Sequence, residues 1–430
     1  MNNLNTYLRK NLHSLSKTSI KFLCSIILVV FTTSVIAQNS EWMNYTPSNS
    51  QLPSTAVISI LGGENDAWLG TDNGVAYFNG TEWDVKQMEN SGLPDNYIND
   101  IAREENGTMW FATDKGLVKL YRDEWAVFNY LNSGLPINVI RCIAIDSHGT
   151  KWIGTWGAGL VKLEGSTWTL YNTANSQLPH NGINSISIDA NDKVWVGTFN
   201  GGMAVIADNR WSIFNVQNSL LRSNNVKSIG FDRYHNTWVC TTNGIVKING
   251  KVWTNISPSV TNFNFQAVND VVCGKNIWFA SDHGLMEFDG DSWKNYRVDN
   301  SGILSNDIRS IGMDEHNNIW LGTAGKGLVI YNPAGVALSI ENTLTSTGAI
   351  NIFPNPAKGE VTFSFTAEQA GKAELELYDM LGKKVCTLLN EEVGAGKHEL
   401  KYNTNILPTG VYIWRIRLRD RVGTMRLAVI

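Results

Sequence analysis

The chain has little of what most catalytic and metal sites need. Its 430 residues include only 5 cysteines and 7 histidines. Cys142, Cys240, Cys273 and Cys386 are scattered with no Cys-x-x-Cys spacing, which argues against a disulfide scaffold and against a thiolate metal centre. His-Glu-x-x-His, Gly-x-Ser-x-Gly and phosphate-loop signatures are missing too. Neither a metal nor a cofactor is expected. Positive charge is also scarce. Setting aside the four basic residues of the N-terminal segment, 31 of the 35 Lys+Arg face 39 Asp+Glu, a balance of −8. That excludes a nucleic-acid footprint.

Long hydrophobic runs are missing except near the start. Arg9, Lys10, Lys17 and Lys21 precede the apolar run Phe22 to Val30, and Val35-Ile36-Ala37 follows before Gln38. A basic region, an apolar region and a small-residue exit read as a secretory signal peptide over residues 1–37, cut after Ala37. Cys24 lies inside the apolar run without a lipobox before it, which argues against lipidation. With no other stretch of 18 apolar residues, no membrane span is expected and the mature protein should be soluble.

Tryptophan, by contrast, is plentiful. Trp68, Trp110, Trp152, Trp195, Trp238, Trp278 and Trp320 are separated by 42, 42, 43, 43, 40 and 42 residues. Trp42, Trp83, Trp125, Trp168, Trp211, Trp253 and Trp293 interleave with them, so the two series use fourteen of the 16 tryptophans. This period belongs to four-stranded propeller blades. Each copy reads as an inner apolar strand, a turn, a strand headed by a first-series Trp, a Gly turn, a short Leu-Val strand and an outer strand with a second-series Trp. The seventh copy stops at Gly327 to Ile330, while Trp42 to Tyr45 begins the chain as an orphan outer strand. The N-terminal strand is therefore expected to complete the last blade, giving a seven-bladed ring over residues 38–332 with no open edge. Two residues after each first-series Trp stands Gly70, Ala112, Gly154, Gly197, Cys240, Ala280 or Gly322, always small. A large ring beside a small residue lets neighbouring sheets interlock. Cys240 fills a repeat glycine position and Cys142 lies on an inner strand, so buried thiols are expected, with a Cys240–Cys273 bridge as the alternative.

Trp152-Ile153-Gly154-Thr155 followed by Gly159-Leu160-Val161, with Asn-Ser-x-Leu-Pro connectors such as Asn90 to Pro94, resembles the two-component regulator propeller repeat family over about residues 40 to 332. The resemblance implies an extracytoplasmic sensor of a membrane histidine kinase. The sequence departs from that pattern, since no transmembrane helix or kinase segment follows the repeats. Thr343 to Gly348 marks a polar linker, placed at 333–347. Beyond it, Ile352-Phe353-Pro354-Asn355-Pro356, the alternating strand Val361 to Phe365, Leu375 to Asp379, Gly396-Lys397-His398, Gly410-Val411-Tyr412 and a basic apolar end predict a small β-sandwich over 348–430. These motifs are similar to the type A C-terminal sorting domain of the type IX secretion system. That implies the secretion machinery as a partner, an outer membrane of the Bacteroidota kind, and release or anchoring at the cell surface.

Strand alternation places the connectors into each inner strand and the turns between the second and third strands on one face. On that face the connectors carry Asn96, Asn138, Asn181, Asn224, Gln266 and Asn306, with Thr55 in the seventh place. Recurring amides fit either loop caps or a ring of ligand-binding groups. His148, His235 and His316 fall in Asp/Asn/Gly-rich turns on the other face and read as hairpin chemistry. Departures from the repeat point more sharply. Trp156 and Phe199 stand where other blades have Asp72, Asp114, Thr242, Asp282 or Ala324, a candidate stacking shelf for a sugar or aromatic ring. His180 lies on the connector between them, and Tyr97, Arg141, Lys227 and Arg309 come from inner-strand starts near the axis. The expectation is an all-β secreted protein acting as a non-enzymatic binding module for a glycan or other extracellular polymer. A polymer lyase or hydrolase using His180 or His283 with Asp307, and a detached sensor serving a separate kinase, are the alternatives. An acid–base pair within hydrogen-bond reach would favour the enzyme, and an open aromatic shelf the binder.

Overall fold

Alternating apolar residues and glycine turns produce seven four-stranded antiparallel sheets followed by a sandwich of two further sheets. The computed structural model describes residues 40–336, apart from 65, and 350–429, apart from 368, 380–383 and 419–420. The expected signal peptide and most of the expected linker fall outside the described residues.

Blade one runs through Val57–Gly62, Ala67–Thr71, Gly74–Phe78 and Trp83–Lys86, in sheet order. Blades two to seven begin with the inner strands Ile98–Arg103, Ile140–Ile145, Ile183–Ile188, Val226–Phe231, Val268–Cys273 and Ile308–Met313. In the last blade the outer strand is Trp42–Tyr45, antiparallel to Leu328–Tyr331 with Trp42 opposite Tyr331 and Tyr45 opposite Leu328. Trp42 stacks on Tyr331 with ring centroids 4.0 Å apart. First and last segments thus share one sheet, and the outer edge of Leu328–Tyr331 is covered by the N-terminal strand.

The repeat motif explains itself locally. In each second strand the Thr or Ser after the small residue is buried and its hydroxyl donates to the carbonyl of the turn glycine, at 2.7 Å for Thr71 to Gly74 and for Thr155 to Gly159. Gly74 has φ +109°, a left-handed backbone that a side chain would strain. At the strand's other end, the indole N–H of Trp152, Trp195, Trp238 and Trp320 donates to Asp146, Asp189, Asp232 and Asp314, at 2.9–3.1 Å. Those aspartates also accept backbone N–H groups of their own turns, as Asp232 does from Tyr234 and Asn236 at 2.9 Å each. The turns holding His148, His235 and His316 are therefore capping structures. Trp238 and Trp320 are fully buried.

Sequence departs from repeat between blades five and six, where a short α-helix, Pro258–Thr261, stands in place of the usual connector. The four described cysteines are all free thiols. Cys240, opposite Ser228, and Cys273, opposite Ile277, belong to one apolar cluster but are not bonded to each other, so the expected alternative of a bridge is not formed.

The C-terminal sandwich packs Ile350–Phe353, Glu360–Ala367 and Gly396–Asn403 against Lys384–Val393, Gly371–Asp379, Gly410–Leu418 and Arg421–Val429. Phe363, Phe365, Leu377, Trp414 and Leu427 form its core. Burial alone would raise the Glu376 carboxyl, but Tyr378 at 2.6 Å, Arg415 at 2.7 Å and Lys384 at 3.0 Å donate to it and hold it at about 2.

Trp238→Ala should cost roughly 3–5 kcal/mol in denaturant unfolding, through an emptied core position. Trp238→Phe, which keeps a ring but loses the bond to Asp232, should cost less. A loss below about 1 kcal/mol for the alanine variant would contradict the interlocking role.

Candidate ligand-binding mouth of the axial channel

Every inner strand carries one extra residue. Register shifts between Ile98 and Asp100, Ile140 and Cys142, Val226 and Ser228, and the matching pairs of the other blades, leave the second inner-strand residue without a cross-strand partner. Such a bulge re-aims a side chain. Here the freed residues are Ile58, Asn99, Arg141, Asn184, Lys227, Asn269 and Arg309, and all seven line the axial channel, a cavity of about 640 Å³. From blade two onward, amide and cation alternate.

The amides hold the blades together. Asn99, Asn184 and Asn269 donate to the carbonyls of Ile140, Val226 and Ile308 at 2.8–2.9 Å, each the first residue of the next inner strand. One residue further along, Asp100 and Asp270 bridge in the same direction, accepting the N–H of Ile143 at 2.9 Å and of Ile311 at 3.1 Å. Burial pushes the Asp100 carboxyl up to about 7 and raises that of Asp270. None of these five residues was singled out from the sequence, although the alternation of Asn with Arg or Lys at one repeat position was a readable signal.

The cations are less committed. Arg141 donates to Asn99 Oδ1 at 3.0 Å, but its Nε is buried without a partner among the described residues. Arg309 pairs with Asp307 at 2.7 Å. Lys227 makes no hydrogen bond or ion pair among the described residues.

Trp156 and Phe199 meet at this mouth. Their rings lie 5.7 Å apart at 65°, edge to face, and 48% of Trp156 and 44% of Phe199 remain exposed. Arg141 sits over the Trp156 ring, 4.9 Å from its centroid, so the shelf and the channel share a residue. His180 flanks Phe199 at 6.1 Å, with Nδ1 accepting the Gly182 N–H at 2.8 Å. Both aromatics stand on turns one residue longer than those of blades one and two: Thr155 caps Gly159 and Thr198 caps Gly202, against Thr71 to Gly74. Tyr97, 37% exposed, lines the channel at the same mouth, with Asp72 and Ala324 from the matching turns.

Two sets of candidates fall elsewhere. The side-chain oxygens of Asn96, Asn138, Asn181, Asn224 and Asn306 accept the backbone N–H of Met88, Tyr130, Thr173, Val216 and Val298, at 2.8–3.0 Å. Each bond closes its own connector, so these amides leave the ligand-binding set. Asp307 is held by Arg309, and His283 by its neighbour Asp282 at 2.8 Å, so neither proposed His–Asp307 pair is assembled.

Residues 351–429 match the family described as a secretion system C-terminal sorting domain. Residues 92–115, 177–200 and 302–325 match the two component regulator propeller. The chain is thus a β-propeller of two-component regulator repeats joined to a type IX sorting domain. That tail directs it by type IX secretion to the cell surface or the extracellular space. No curated protein sequence matches the chain. Among solved structures it is similar to the extracellular domain of a protein described as a hybrid two component system, BT3049 from B. thetaiotaomicron, at 19% identity and TM-score 0.60, over 90% of this chain and 57% of that one. It is also similar to PorZ, an essential surface component of the type IX secretion system of Porphyromonas gingivalis, at 17% identity and TM-score 0.55, over 87% of this chain and 59% of that one. A streptogramin B lyase matches at 13% identity and TM-score 0.55, over 68% of this chain and 97% of the lyase. At such identities the likeness is one of fold. The chain spans less than three fifths of the length of the first two. No helix among the described residues is long and apolar enough to cross a membrane.

Asn138→Ala should lower stability by about 0.5–1.5 kcal/mol, the worth of one capping bond. A thermal melt unchanged from the parent would return this amide to the pool of ligand-binding candidates.

Proposed function

We propose that this is a secreted, non-enzymatic binding module that holds a glycan or another extracellular polymer at the channel mouth bearing Trp156 and Phe199. In this reading residues 1–37 are the signal peptide, 38–332 the propeller, 333–347 the linker and 348–430 the sorting domain. The observation that carries it is the open aromatic pair. Two large rings about half exposed meet on turns of adjacent blades, where the repeat elsewhere places Asp, Thr or Ala. A sugar presents an apolar face that such rings can cover, while Tyr97, His180 and the channel cations supply polar groups around them.

Supporting the binder over an enzyme, the half-buried histidines at this mouth serve their own turns. His180 is bonded to Gly182, and His283 to Asp282. The likeness to extracellular domains of two component systems supports a recognition role, with any relay to a separate kinase requiring a second protein.

Replacing Trp156 and Phe199 together with Ala should weaken saccharide binding by about 1–3 kcal/mol, on the scale of base–aromatic stacking. The melting temperature should barely move, because exposed turns bury little. Calorimetry of the parent and double variant against a panel of neutral and acidic oligosaccharides checks both. Unfolding of the double variant would make the rings core, and unchanged binding would place the ligand elsewhere.

A further inference from the structure

The arrangement of charge inside the channel specifies the ligand further. Arg141, Lys227 and Arg309 occupy alternate blades at one level of the same cavity. Lys227 is flanked at that level by Asn184 and Asn269 of the neighbouring blades, neutral amides that donate to backbone carbonyls. No counter-ion reaches it among the described residues. Burial lowers its pKa, and the like charges of Arg141 and Arg309 lower it further, so the fields of the three cations overlap in the channel.

The acidic residues nearby offset this field only in part: Asp100 acts on Arg141, while burial raises the Asp100 and Asp270 carboxyls and so weakens their charge. Asp100 and Asp270 lie one residue along the strands from the cation level, and each carboxylate is occupied by backbone N–H groups: Ile101 and Ile143 for Asp100, Val271 and Ile311 for Asp270. Asp270 also accepts the Ser228 hydroxyl at 2.7 Å. Asp307 neutralises Arg309 alone, and Asp72 stands at the rim. Arg141 and Lys227 remain without a carboxylate partner among the described residues. On a mature chain with a balance of −8, two cations without a carboxylate partner in one channel, beside a third held by Asp307, are a local exception.

We propose that the channel is an anion subsite, and that the bound polymer is an acidic saccharide whose carboxylate or sulfate enters between Arg141, Lys227 and Arg309 while its ring lies on Trp156 and Phe199. This rests on the saccharide-binding reading above for the ring, and on the channel alone for the acid. Arg141 joins the two halves, since its guanidinium covers the Trp156 ring while its side chain lines the channel. A planar guanidinium suits an oxyanion by paired N–H donors, and Lys227 adds a point charge.

The test is isothermal calorimetry of the full secreted chain with matched probes. These are an oligogalacturonate and its methyl ester, a chondroitin sulfate tetrasaccharide and its desulfated form, and neutral cellotetraose. One acidic probe should bind at least about tenfold more tightly than its neutral or desulfated partner, and its affinity should fall as salt rises from about 0.05 to 0.5 M through screening. The preferred pair tells carboxylate from sulfate. Lys227→Gln should remove most of that preference and Lys227→Arg should retain it, with melting temperatures showing that both variants fold. Acidic probes that bind no better than their partners, or a preference that survives Lys227→Gln and Arg309→Gln, would overturn the proposal. Neutral probes bound in a Trp156-dependent way, without acidic preference, would sink the anion subsite and leave the saccharide reading standing. Acidic preference that depends on Lys227 but not on Trp156 and Phe199 would uphold the subsite and sink the shelf. Binding of no saccharide of either kind would sink both.

Discussion

The ring depends on one steric condition, that the second strand of each blade keep a small residue where the next blade arrives. A Cβ on Gly154 would lie 2.7 Å from Ile183 Cγ2, and one on Gly197 would lie 2.8 Å from Val226 Cγ1. At the closing seam, a Cβ on Gly322 would meet the Val57 carbonyl at 2.5 Å. In each case that atom belongs to the first residue of the following inner strand, and the side chain of Cys142, Ser185 or Ser310 on the blade's own inner strand comes closer still. The same approach seats the next blade against the tryptophan two residues earlier, as where Trp110 packs among Ile140, Ile143 and Ile153. Close approach and a large apolar ring together convert seven weak sheets into one interlocked array.

From that packing follows the channel. Inner strands brought this close exchange bonds across blades, and the bulge in each turns one side chain toward the axis while the neighbouring Asp or Ser reaches sideways. Asn99 to Ile140 and Asp100 to Ile143 are two such ties between the same pair of blades. Among the described residues, Lys227 and Arg309 have no such tie to a neighbouring blade. Rigid neighbours hold these groups in place, which is the condition for a preorganised site.

Blade number, strand order and the turn chemistry were legible because each rests on a pattern repeated seven times. A Trp, a small residue and a Thr at fixed spacing carry the same local physics in every copy. The channel was only half legible. Arg141, Lys227 and Arg309 stood out by charge, but Asn99, Asn184 and Asn269 were passed over, because their alternation with the cations gains meaning only once the bulge, a backbone event, aims all six at the axis. The connector amides left two roles open, loop cap or ligand group. Asn138 and its counterparts sit on the face of the candidate site, and only the bond to the N–H eight residues back, Tyr130 for Asn138, reveals that each serves its own loop. Trp156 and Phe199 were visible as exceptions to the repeat, while the contact of Trp156 with Arg141 needed the folded chain.

A ligand held at one mouth of the channel leaves its footprint on the backbone of that face alone. Hydrogen exchange of the full secreted chain, free and saturated with the tightest-binding saccharide, tests it most directly. Slower exchange is expected in residues 139–143, 155–159, 180–185, 198–202, 225–228 and 307–310, which carry the shelf and the cations. Turns on the opposite face, such as 146–150 and 189–193, should exchange as before. Protection confined to those opposite turns, with none around Trp156 and Arg141, would contradict the account.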